Sequence, residues 1–283
     1  MEPYFEPNNT KLDKSIIGEL RAVNCDSIFL KHRLLNNPNP FQEIELGFEP
    51  YNVCPINSDY LCVTYPNNGK IDILSKDYQI VSSIDKIKSA SLNSPRGIAF
   101  SSNQLVICDS FSHRLIVTDL NLEKLEIFGK YGSGESAEFY SPFDAIYNNG
   151  FLYVCDTGNK RVIKFTDNFA YLRAFSLDYF PIQIMILSSL VIIRDDKNYL
   201  NFHYLDTFKR KKKSKNKGIS GIVDKCVYQI DKNFVYFYDS DSNLSSKSRI
   251  NCTYEFNNGC TCVFNKDIVI TSNSKLILIK NLF

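Results

Sequence analysis

A carboxylate and a guanidinium recur in this chain at one spacing: Asp109 with Arg114, and Asp156 with Arg161. The intervening residues are Ser-Phe-Ser-His in the first case and Thr-Gly-Asn-Lys in the second, which is largely turn chemistry. A carboxylate placed there can accept turn amides and an arginine fork together. A catalytic acid is needed once, whereas a structural pin is needed in every copy of a unit. The repetition therefore reads as a pair that holds a hairpin.

The other groups capable of chemistry are dispersed. The three histidines, His32, His113 and His203, lie far apart, and His113 fills a turn position taken by Lys160 in the second copy. Zinc sites need clustered ligands, and no Cys-x2-Cys pair occurs. Cys260 and Cys262 alternate, which puts both thiols on one face of a strand. The chain has nine cysteines, several inside apolar runs such as 105–108 and 152–155. Its acidic, proline-broken opening does not read as a secretory signal, so free thiols in a reducing, cytoplasmic setting are expected. Gly129, Gly132 and Gly134 lack the dinucleotide-binding spacing and lead into no helix. No nucleophile elbow, kinase loop or zinc-protease motif appears. No metal and no cofactor is implied, and the balance is against an enzyme. No apolar run approaches the roughly 20 residues of a membrane span.

One charge run stands apart. Lys209, Arg210, Lys211, Lys212, Lys213, Lys215 and Lys217 are seven of the 33 basic residues, and without them 26 bases face 31 acids, a remainder of −5. Three readings fit: lysines that discourage edge pairing of an outer strand, a contact to nucleic-acid phosphates, or a nuclear import signal. Aromatic interleaving is limited to Phe208, which gives base stacking little support.

The elements that position these residues come from a repeat. Residues 94–128 align without a gap on 141–175, and ten of the 35 positions are identical, where chance gives about two. The offset, 47, is the length of a propeller blade. Within the unit, 97–100, 104–108, 114–118 and 125–128 read as short strands between Asn, Ser, Asp and Gly clusters. Weaker copies extend over the chain. The expected fold is a single all-β propeller spanning 1–283, with four-stranded blades. Seven units are counted, or six if the first, ending at 41–46, supplies only a closing strand. The last unit, 260–279, is one strand short, and the N-terminal segment 12–17 is the expected donor that closes the ring. In the blade before it, 250–254 reads as the fourth strand. The basic run should provide the outermost strand of its own blade.

Residues 94–175 resemble the NHL-repeat propeller family. The resemblance is carried by Ser94-Pro95-Arg96-Gly97-Ile98-Ala99-Phe100, by Asp156-Thr157-Gly158-Asn159-Lys160-Arg161-Val162, and by Phe128-Gly129 with Gly132, Gly134 and Phe139 before Ser141-Pro142. It is clearest over 94–140 and 141–179 and covers about a third of the chain. It implies a monomeric binding module that recognises a protein partner, and substrate recognition for a ubiquitin ligase acting in trans, since the zinc-binding cysteine pairs of a ligase are missing here. RNA binding through the basic segment is the alternative. A propeller lyase or hydrolase is a second alternative, which the dispersed ligands disfavour.

Overall fold

The computed structural model describes residues 41–280 apart from 102, 103, 120, 136, 224, 225, 232, 233, 250–258 and 266. Within them lie six four-stranded antiparallel sheets, the blades of a propeller. Blade 1 comprises Asn52–Pro55, Tyr60–Tyr65, Lys70–Ser75 and Ile80–Ile84. Blade 2 comprises Pro95–Phe100, Leu105–Asp109, Arg114–Thr118 and Glu126–Phe128. Blade 3 comprises Pro142–Asn148, Phe151–Asp156, Arg161–Thr166 and Tyr171–Ser176, and blade 4 Pro181–Leu187, Leu190–Asp195, Tyr199–Tyr204 and Arg210–Lys217. Blade 5 holds Ile219–Val223, Cys226–Ile230, Phe234–Tyr238 and Leu244–Arg249. Blade 6 holds Thr261–Phe264, Asp267–Ser272 and Lys275–Ile279, and its outermost strand is Phe41–Glu45 from the other end of the chain. First strands of neighbouring blades lie against one another around the axis.

Six apolar clusters fill the six seams between blades. The period of two in a strand explains how one strand serves two seams. Leu105 and Ile107 pack toward blade 1, while Val106 and Cys108 pack toward blade 3. Such strands are apolar on both faces, so they appear in sequence as unbroken runs, Leu-Val-Ile-Cys and Leu-Tyr-Val-Cys. Outermost strands face solvent and need no such run. Ile80–Ile84 and Arg210–Lys217 are mostly exposed. The described helical pieces are three-residue 3-10 turns.

The six-blade alternative holds: Phe41–Glu45 supplies only the closing strand and completes the last blade, so the count of seven is corrected. The closing strand is that segment, paired antiparallel from Phe41 with Ile279 to Glu45 with Lys275. Leu46 continues the join by donating its N–H to the Ser274 carbonyl at 2.8 Å. Its chemistry suits the role, since Glu43 and Glu45 both reach Lys275. The segment 12–17 lies outside the described residues. In blade 5 the outer strand is Leu244–Arg249, earlier than the expected 250–254, which also lies outside them.

Candidate functional site

The segment entering each blade and the turn between its second and third strands meet at one end of the propeller. Backbone bonds show this in three consecutive blades: Phe111 N–H to Asn93 O at 3.1 Å, Gly158 to Tyr140 at 2.7 Å, and Asp196 to Phe180 at 3.1 Å. We call this end the entry face.

The repeated Asp and Arg residues are built into it. Arg114 Nε lies 2.7 Å from Asp109 Oδ2, and Arg161 Nε 2.7 Å from Asp156 Oδ2. The second carboxylate oxygen reaches back to the entering segment, accepting Asn93 N–H at 2.5 Å and Tyr140 N–H at 2.7 Å. The remaining guanidinium donors hold the same segment. Arg114 Nη2 donates to Ser91 O at 3.0 Å, and Arg161 Nη2 to Glu138 O at 2.9 Å. Each pair is thus a clamp between a hairpin and the crossover leading into its blade. Asn159 and Arg161 Nη1 also bind Gly132 O and Ser133 O, at 2.8 and 2.9 Å, which places the glycine-rich loop under the clamp. Adjacent hydroxyls tie one blade to the next: Ser110 donates to Pro142 O and Thr157 to Pro181 O, each at 2.6 Å.

Blade 4 departs from this pattern. Its turn closes one residue sooner, at left-handed Asn198 where blade 3 has Lys160, and Tyr199 stands in the place of Arg161. The buried Asp195 takes its cation from Lys213, with Nζ at 2.8 Å, and a further bond from Asn201 Nδ2 at 3.1 Å. Lys213 belongs to the basic run, which is the outermost strand of the blade. Arg210 pairs with Asp178 at 2.5 Å, Lys211 with Asp241 at 3.6 Å, and Lys212 Nζ donates to Ser242 O at 2.9 Å. Lys209, Lys215 and Lys217 have no ion pair among the described residues, and Lys217 lies over the Tyr199 ring at 5.2 Å.

The two described histidines do not converge. His113 is a left-handed turn residue whose Nδ1 accepts Ser141 N–H at 3.0 Å. His203 is buried in blade 4, with Nδ1 2.8 Å from Phe208 O and Nε2 2.7 Å from the Tyr179 hydroxyl. The carbonyl can only accept, so Nδ1 carries the proton and Nε2 accepts from the phenol. Burial pulls His203 below the usual histidine range. His32 lies outside the described residues. No group of three or more His, Cys, Asp or Glu side chains among the described residues could hold a metal ion.

Two features of the entry face were not anticipated from sequence. First, it carries exposed aromatics: Phe48, Phe111, Tyr131, Tyr140 and Phe180 all lie on crossovers or turns there, with Phe111 59% and Tyr131 65% exposed. Tyr131, Tyr140 and His113 form one group with ring centroids 5.0–5.5 Å apart. Lys160 covers Phe180 at 4.5 Å, and Lys70 covers Phe48 at 4.8 Å. The available signal was large aromatics in segments whose turn chemistry favours small polar residues.

Second, two guanidiniums stand at the axial mouth of this face. Arg96, at the start of blade 2's first strand, lies between the rings of Tyr51 at 4.7 Å and Phe143 at 4.1 Å. Arg194 ends blade 4's second strand, fully buried, with Nη1 3.1 Å from Asn198 Oδ1 and Nη2 3.4 Å from Cys260 Sγ. The Cys260 thiol is pushed up to about 12 by burial, against the pull of Arg194. Asp144 lies beside them, its Oδ2 accepting Ile184 N–H at 2.9 Å, and burial pushes its carboxyl up to about 7. Gly97 makes room for it, since a Cβ there would stand 2.5 Å from Asp144 Cα.

No family model matches the chain, and no curated protein matches it in sequence. Solved structures match its fold. A virginiamycin B lyase from Staphylococcus aureus is 12% identical with a TM-score of 0.60, over 84% of this chain and 98% of that one. The WD40 domain of Pan2 from Neurospora crassa is 7% identical with a TM-score of 0.62, over 84% and 96%. Hydrazine synthase of Kuenenia stuttgartiensis is 12% identical with a TM-score of 0.54, over 80% and 75%. At these identities the likeness shows the architecture alone: the chain is a six-bladed β-propeller.

Proposed function

We propose that this chain is an NHL-type propeller that works as a protein-recognition module through its entry face. The observation that carries the reading is the concentration of exposed aromatic side chains there, flanked by lysine and arginine. Exposed apolar clusters with a polar rim mark contact surfaces, and aromatic and arginine residues dominate binding energy at them. The clamps of blades 2 and 3 support the NHL assignment, because both copies of the motif make the same bonds to the same crossover positions. In this role the chain supplies substrate recognition in trans, including to a ubiquitin ligase. RNA is the weaker reading, since three of the seven cations in the basic run are already paired with carboxylates. The test is affinity capture from the native cell with Phe111, Tyr131 and Tyr140 changed to Ser, beside a variant with Lys209, Lys215 and Lys217 changed to Ser. The aromatic variant should lose the retained protein, and the lysine variant should keep it with or without ribonuclease. Retention by the aromatic variant, or loss on ribonuclease treatment, would sink the proposal.

A further inference from the structure

Arg114, Arg161 and Arg210 each have a carboxylate within 2.7 Å. Arg96 and Arg194 have no carboxylate within ion-pair distance among the described residues, although each has a buried Nε without a hydrogen-bond partner. A buried guanidinium left unpaired is costly, so such a group calls for an anion. Tyr51 joins the two: its ring lies 4.7 Å from Arg96, and its carbonyl accepts the N–H of Cys260, whose Sγ is 3.4 Å from Arg194 Nη2.

We propose that this mouth is a seat for a single carboxylate, an Asp or Glu side chain or the C-terminus of the partner protein. The inference rests on the entry face being the recognition surface and names the chemistry at its centre. Arg96 is the contact residue. It is half-buried, and its guanidinium lies 4.7 Å from the Tyr51 ring and 4.1 Å from the Phe143 ring, contacts that leave it little rotamer freedom to lose. Arg194 lies behind, fully covered, and contributes a fixed positive field in surroundings of low polarity. The charge balance bears on the ligand. Two guanidiniums beside one carboxyl leave one positive charge once that carboxyl is ionised, which a single carboxylate balances. A phosphate, with about −1.5 to −2, would also meet repulsion from Asp144.

The probe is N-acetylglutamic acid α-amide, added to the full chain while the arginine Nε–H resonances are followed by NMR at constant ionic strength. Its uncharged glutamine counterpart and inorganic phosphate serve as comparators. The Arg96 Nε–H signal should move saturably with the carboxylate, should stay still with the glutamine compound, and should need at least tenfold more phosphate. Arg96→Gln should abolish binding while the Arg161 signal, which reports the clamp, stays in place. If that variant does not fold, Arg96→Lys keeps the charge without the stacked plane and should weaken binding at least fivefold. Equal drift with the glutamine compound, tighter phosphate binding, or unchanged affinity in a folded Arg96 variant would overturn the seat. The entry-face reading fails separately, when the aromatic variant keeps its partner. A silent Arg96 signal with partner capture still lost in the aromatic variant would overturn the seat alone.

Discussion

In blade 3 the buried Asp156 takes its counter-charge from Arg161, five residues on and across its own hairpin. In blade 4 the equally buried Asp195 takes it from Lys213, eighteen residues on, in the outermost strand. The turn of blade 4 is one residue shorter, and Tyr199 occupies the arginine's place. The shorter route gives a fork with three separate bonds, Nε to the carboxylate and the two Nη groups to carbonyls of the crossover and its loop. The longer route gives a single ammonium contact, backed by Asn201 and two turn amides. The same need for charge balance is therefore met by a rigid element inside the hairpin or by a flexible one brought from the blade's edge. The second solution gives part of the basic strand a structural reason to exist.

The largest expected effect tests the rigid side. Arg161→Ala leaves Asp156 buried without a cation and releases two crossover carbonyls, so stability should fall by about 3–5 kcal/mol. Urea unfolding checks this, and a loss below about 1 kcal/mol would show that the clamp is dispensable.

Next comes the pH dependence at the channel mouth. The Asp144 carboxyl is raised in the folded chain to about 7 from 3.8. The folded state therefore holds a proton that the unfolded state releases, and the resulting stability is fully present below about pH 4 and lost as pH rises toward 7. Between pH 5 and pH 7 this loss should be roughly 2–3 kcal/mol. Asp144→Asn keeps an acceptor for Ile184 and should remove that slope, as read from urea midpoints at the two pH values. An unchanged slope would place the titration elsewhere.

A third change probes how closely blades 2 and 3 approach. Gly97→Ala puts a methyl 2.7 Å from Phe143 O and against Asp144, so it should cost about 1–3 kcal/mol in the same assay. No loss would mean that the two first strands can separate freely.

The smallest effect sharpens the flexible side. Lys213→Ala should cost about 1 kcal/mol, because the ammonium is partly exposed and Asp195 keeps its other donors. A loss as large as that of Arg161→Ala would erase the distinction between the blades.

How much of this was legible in the sequence follows from burial. Inner strands pack on both faces, so Leu105–Asp109 and Phe151–Asp156 stand out as apolar runs, and the turn signature between strands recurs with them. Outer strands have one neighbour and water. Leu244–Arg249 is Leu-Ser-Ser-Lys-Ser-Arg, which carries no apolar signal, and an expected strand was displaced past it. Phe41–Glu45 has ordinary alternation but gives no hint of which blade it joins, because pairing with Lys275–Ile279 is decided by ring closure. The exposed aromatic group of the entry face was hidden for a related reason. Phe111, Tyr131 and Tyr140 are scattered in sequence, and only the common end of adjacent blades gathers them. The replacement of Arg161 by a distant Lys213 leaves no local pattern, so the basic run could be described but not divided into paired and unpaired charges.

That division is the point on which the account turns, and the salt dependence of binding to single-stranded polyuridine measures it directly. Each phosphate neutralised steepens the slope of log affinity against log salt by about 0.7. With Lys209, Lys212, Lys215 and Lys217 the cations of the basic run that have no ion pair among the described residues, any such binding should show a slope no steeper than about −3. A slope near −5 that collapses when the strand's lysines become Ser would mean that all seven cations meet phosphate, and it would contradict both the structural role given to this strand and the choice of protein over RNA as the partner.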